Sequence, residues 1–177
     1  NPAKSTIFAG NILRPDRQTA GIRPALSFRK QEPQKNASTT KIACLQFNPI
    51  QENTYVVWDD TLEAVVIDAG NSNPREDAAL DNFIAEHGLK PVMAVNTHGH
   101  FDHVFGAQFV CDTYHLQPEM CADEVPTYLQ ATEQMRMFLH RDFPLTLPSI
   151  GNTFKDGDLI TFGNHQLRVI ETPGHTP

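Results

Sequence analysis

From Lys41 onward the chain alternates short apolar runs with polar breaks, and the spacing within each run predicts its element. The runs KIACLQF (41–47), TYVVW (54–58) and EAVVIDAG (63–70) are rich in β-branched and aromatic residues and predict three consecutive strands. The last is reached through the turn-like DDTLE and stopped by Gly70. In NPREDAALDNFIAEHG (73–88) the period changes: Ala79, Leu80, Phe83 and Ile84 share a helical face, Asn73 stands where a cap belongs, and Gly88 ends the run. PVMAV (91–95) then predicts a short buried strand. Beyond it the pattern predicts a helix near Phe105–Tyr114, a strand around PEMCA (118–122) and a helix from about Glu124 to Leu139. DLITF and QLRVIET, joined across GNH, predict a hairpin. A meander of strands followed by strands alternating with helices implies an α/β (α+β) domain of sheets covered by helices.

Residues 1–40 are different material. They are rich in Ser, Thr, Gln, Asn and Pro, show no apolar periodicity, and carry seven Lys and Arg against two Asp and Glu, a net of +5. The whole chain stands at −7, so residues 41–177 carry −12. The expected organisation is a disordered tail or extension over 1–40 and one domain over 41–177, with organelle targeting by the Arg-rich tail as the lesser reading. No apolar run reaches membrane-spanning length, which implies a soluble protein with no membrane partner. Cys44, Cys111 and Cys121 are odd in number and form no CxxC pair, so a disulfide framework and a cysteine zinc knot are both disfavoured, and a reducing, cytoplasmic setting is expected.

The densest chemistry is NTHGHFDHVFG (96–106), placed where the chain leaves the PVMAV strand. Strand ends of this kind are where α/β proteins commonly site ligands. Side chains two apart in extended backbone point the same way, so His98 and His100 can chelate one ion. A turn into helix near Asp102 would swing Asp102 and His103 to a neighbouring position, which suits a second ion. Gly99, without a Cβ, lets the loop stay tight. Three imidazoles this close repel one another when protonated and are costly to bury without partners, and a metal removes both costs. His87, His115, His140 and His165 have no such company and are expected to be helix-end or surface residues. At the other end of the chain, TPGHTP (172–177) follows a strand, and Pro173–Gly174 suits a type II turn that presents His175 as a third ligand.

THGHFDH resembles the HxHxDH signature of the metallo-β-lactamase superfamily, and VIDAG and ETPGHTP resemble its flanking motifs in the same order. The resemblance runs from about Lys41 to Pro177 and is nearest to the glyoxalase II-like (hydroxyacylglutathione hydrolase-like) branch. It implies an αββα sandwich and two Zn2+ ions, with His98, His100 and His175 on the first and Asp102 and His103 on the second. It also implies that Asp68 braces the metal loop. The implied activity is attack by metal-bound hydroxide on a thioester or ester carbonyl of a small molecule, with Asp102 orienting or deprotonating the water. The family pattern continues past TPGHTP with a bridging aspartate and a further histidine, so the expectation is a member cut short within its second half. Two alternatives stand beside this one: an iron-dependent persulfide dioxygenase of the same fold, holding one iron through two histidines and an aspartate, and a non-catalytic metal-binding fragment. Nucleases share the superfamily, but a charge of −12 over residues 41–177 argues against a nucleic-acid partner.

Overall fold

A computed structural model describes residues 4–10, 39–140 and 145–176. Strands β2 (Lys41–Phe47), β3 (Glu52–Trp58) and β4 (Glu63–Ile67) form the expected antiparallel meander. The chain crosses through helix α1 (Pro74–Glu86) to β5 (Lys90–Val95), which lies parallel to β4. Strands β6 (Pro118–Cys121) and β7 (Thr153–Phe154) add two more parallel neighbours, so the larger sheet runs in order β2-β3-β4-β5-β6-β7. The hairpin of β8 (Leu159–Phe162) and β9 (His165–Pro173) belongs to a second sheet, which β1 (Lys4–Gly10) completes in the order β1-β9-β8.

Sequence alternation sorts the core into layers. Val57, Val65, Ile67 and Val95 of the larger sheet pack against Ile160, Phe162, Leu167 and Val169 of the smaller one. Their neighbours in sequence, Val56, Trp58, Ala64, Val66 and Ala94, face the other way onto Leu80 and Ile84 of α1 and Val110 of α3 (Ala107–Tyr114). The central strands read as continuous apolar runs because both faces of that sheet are covered. Helix α1 begins at the expected cap, where Asn73 Oδ1 accepts from the backbone N–H of Arg75 and Glu76, and it ends at Gly88 with φ +63°.

Several expectations are corrected. The long helix from Glu124 is two: α4 (Val125–Leu129) and α5 (Ala131–Leu139), preceded by a 3-10 turn over Ala122–Glu124. They part at Gln130, whose N–H closes a tight turn on Thr127 O. On α1 the buried stripe is centred on Leu80 and Ile84, which leaves Ala79 exposed. Strand β5 is buried only at Ala94 and Val95, because β6 is short and pairs with those two residues alone, so Val92 is exposed. The expected tail contributes a strand, β1 (Lys4–Gly10), paired antiparallel with β9 over all seven of its residues. Such pairing uses the backbone groups of an edge strand and needs no apolar period, which is why the hydrophobic pattern is blind to it. Residues 1–3 and 11–38 of that tail lie outside the described residues.

Candidate metal centre

The loop after β5 and the turn after β9 carry the chemistry, one from each sheet. Asn96 N donates to Glu119 O of β6, and from there the loop runs across the sheet edge into the single turn α2 (Phe101–Val104). Its tightness has a specific cause at Gly99, where a Cβ would collide with Tyr128 N and lie 2.8 Å from Glu124 O, so α4 packs directly on this backbone. The site therefore tolerates no side chain between His98 and His100.

His98, His100 and His175 converge, with ring nitrogens all within 4.8 Å of one another. His100 Nδ1 stands 3.1 Å from His175 Nε2, and the ring of His98 lies 4.7 Å and 4.9 Å from those of His100 and His175. The tautomer of His98 follows from its neighbours. Thr97 Oγ1 donates to Asp68 Oδ2 at 2.6 Å, so its remaining role toward His98 Nδ1, 3.0 Å away, is to accept. The proton thus sits on Nδ1 and the Nε2 lone pair is free. That Nε2 is buried without a hydrogen-bond partner. Burial first, and then the neighbouring His103, His100 and His175, push the His98 imidazolium down to about 3, so the ring is neutral at physiological pH. Burial and His175 lower His100 in the same direction. A buried, neutral, unpaired nitrogen facing two other imidazoles fits a metal ion and fits little else.

His103 turns to a second group, with Glu52 and Asp68. Its Nδ1 lies 3.2 Å from Asp68 Oδ2 and 3.7 Å from Glu52 Oε1, and its Nε2 lies 3.7 Å from Asp102 Oδ2. Burial works against the charged ring, but Asp68, Asp102 and Glu52 outweigh it and raise His103 above the ordinary value. Asp102 is a member of neither set of three converging donors and lines the cavity beside His100 and His175. Asp68, left-handed at φ +53°, accepts from Thr97 N at 2.7 Å as well as from its hydroxyl, and so fastens the start of the histidine loop to the end of β4.

Two carboxylates escaped the sequence reading. Glu52, on the face of β3 that also carries Thr54 and Val56, is 5 % exposed and is pushed up to about 8 by burial and the Asp68 charge. A signal existed, because the alternation in ENTYV puts Glu52 in register with residues expected to be buried. Glu124 is 2 % exposed; its Oε2 accepts from Gly99 N at 3.1 Å and its Oε1 from the Thr176 hydroxyl, so it joins the two histidine-bearing segments directly. Nothing in the sequence sets it apart from an ordinary acidic residue at a helix start. Of the histidines expected to be idle, His115 and His140 sit at left-handed helix ends and His87 Nδ1 lies 2.9 Å from Phe83 O. His165 is corrected: its Nδ1 is held 3.0 Å from the buried Asp59.

Two sheets thus bring three imidazoles together at their strand ends. Residues 47–177 match the model of the Metallo-beta-lactamase superfamily, and the chain belongs to that family. It is 28 % identical over 130 residues to "Glyoxylase B2" of Dictyostelium discoideum, covering 69 % of this chain and 44 % of that protein. It is 32 % identical over 152 residues to the human mitochondrial persulfide dioxygenase ETHE1, covering 84 % and 50 %. It is 28 % identical over 133 residues to the hydroxyacylglutathione hydrolase of Gloeobacter violaceus, covering 74 % and 44 %. Among solved structures, the B3 metallo-beta-lactamase BLEG-1 superposes with a TM-score of 0.61 at 26 % identity over 71 % of this chain and 58 % of that one. TTHA1623 in a di-iron-bound form gives 0.56 at 25 % identity, over 66 % and 55 %. The chain thus spans about half the length of the curated relatives it matches. Among the described residues, no helix is long and apolar enough to cross a membrane.

Proposed function

We propose that this chain is the metal-binding part of a zinc-dependent hydrolase of the glyoxalase II-like branch, acting on small thioesters or esters. The observation that carries the reading is the unpaired, buried Nε2 of His98 facing His100 and His175. Those three histidines would hold the first ion, and Asp102 and His103 would serve a second. Zinc bound there lowers the pKa of its water towards neutrality and polarises a carbonyl oxygen. The chain's own residues supply the rest. Thr97 and Asp68 fix the His98 tautomer and loop position, and outer partners of this kind typically govern 10–100-fold in metal affinity. Asp102, lining the cavity, is placed to orient a water and take its proton at a carboxylate oxygen. Glu124 fixes the turn that presents His175.

The likeness to the human persulfide dioxygenase favours a second reading, with one iron and a persulfide substrate. One experiment separates the two. Protein loaded with zinc is assayed on acyl thioesters, and protein loaded anaerobically with iron is assayed for oxygen uptake with glutathione persulfide. His98→Ala and His165→Ala are carried alongside for metal content. We expect zinc-dependent thioester hydrolysis that a chelator abolishes, and metal loss in His98→Ala alone. Oxygen uptake without thioester turnover would establish the dioxygenase instead, and equal metal content in the two variants would refute the site.

A further inference from the structure

A cavity of about 510 Å³ opens beside the histidines, and one of its walls plays no part in holding metal. Its lining is His100, His175, Asp102 and Gln134 together with the buried Phe101 and three exposed apolar residues, Ile50, Met137 and Phe138. These three apolar residues are 41 %, 62 % and 63 % exposed. Packing of α5 does not require them there, since that helix already buries Ala131 and Met135 in the cluster formed with Phe101, Met120 and Tyr128. Nor is Phe138 loosely placed: its ring lies 5.5 Å from that of Phe101, which holds it at the cavity's edge. Large apolar side chains at the mouth of a polar site are the usual means of binding the unreactive part of a substrate. Among the described lining residues the only formal charge besides the histidines is the carboxylate of Asp102, so the wall offers an alkyl chain a surface and offers an anionic group none.

We propose that this cavity is an acyl subsite, taking the medium-length alkyl chain of a thioester or ester along Ile50, Met137 and Phe138 with its carbonyl end at His100 and His175. The proposal rests on the hydrolase reading above and narrows its substrate class to apolar acyl groups. Each methylene laid on the wall strengthens binding about three- to fourfold.

The test measures binding apart from turnover. Octanoate and butyrate are titrated calorimetrically into the zinc-loaded and the metal-free protein, for the wild type, for Met137→Asp/Phe138→Asp, and for Leu129→Asp, an equally exposed residue outside the cavity. The expected result is octanoate at least 30-fold tighter than butyrate, with that discrimination lost in the double variant and kept in Leu129→Asp. Octanoate binding no tighter than butyrate would overturn the subsite, as would equal loss in both variants. A dimer that the double variant splits would put a second copy of the chain on this wall and would also overturn it. Chain-length discrimination in binding with no turnover of octanoyl thioester refutes the hydrolase reading alone. Thioester turnover indifferent to chain length refutes the subsite alone.

Discussion

Asp59 offers the sharpest test of how the two sheets are joined. It is fully buried, and its Oδ1 accepts from Thr61 N and Thr61 Oγ1 at 2.8 and 2.5 Å, while its Oδ2 accepts from Asn164 N at 2.7 Å and faces His165 Nδ1 at 3.0 Å. One carboxylate therefore ties the β3–β4 turn to the β8–β9 hairpin. Asp59→Ala strands two backbone donors, at about 1–3 kcal/mol each, and takes the carboxylate away from His165, so the expected loss is about 3–5 kcal/mol at pH 7. For a domain of this size that is a fall in Tm of roughly 10 °C. The pH dependence follows from the same bonds. Burial alone would raise the Asp59 carboxyl, but the bonds from Thr61, Asn164 and His165 outweigh it and hold the group far below the ordinary value. A carboxyl depressed in the folded state contributes stability that is fully present above the unfolded pKa of about 3.9 and is lost as pH falls below it, through the folded value. Urea melts of wild type and Asp59→Ala should thus differ most at pH 5–7 and converge as pH drops from 4 towards 2. A difference below ~0.5 kcal/mol at pH 7, or one that does not shrink in acid, would refute the reasoning.

Two further outcomes are expected. Deleting residues 1–10 uncovers β9, so amide exchange along β9 should quicken by at least tenfold, measured by hydrogen–deuterium exchange; unchanged protection would show that β1 does not hold that edge in solution. Glu124→Leu should weaken zinc binding ~10–100-fold in a chelator competition, while Glu124→Gln stays near wild type because the Thr176 hydroxyl can rotate to accept from the amide; equal losses in the two variants would sink the clasp.

What was legible in the sequence was whatever a period or a close spacing encodes. The meander, the Asn73 cap and the β8–β9 hairpin follow from local alternation and turn chemistry, and His98 and His100 follow from two-residue spacing in extended backbone. His175 was reachable because it too leaves a strand end. The break at Gln130 was not, since VPTYLQATEQM reads as one helix and only the packing of α4 on Gly99 fixes where its first turn must lie. Glu124 and the reach of Asp59 to the β8–β9 hairpin were invisible for a related reason: those partners are 25 to 106 residues away, and a lone acid carries no mark of a distant amide. Strand β1 escaped because its pairing is made by backbone, which every sequence possesses.

His100 and His175 face each other across 75 residues of chain. One follows a strand of the larger sheet, the other a strand of the smaller, so the donors meet only after both sheets have formed and docked through Val57, Ile67, Ile160 and Val169. In kinetic terms the site is a contact of high sequence separation, whose loop-closure entropy is met only when the two sheets come together. A chain with either sheet unformed presents at most two of the three imidazoles. An ion bound at these three histidines would also serve as an inspector of the fold, captured by finished molecules and passed over by unfinished ones.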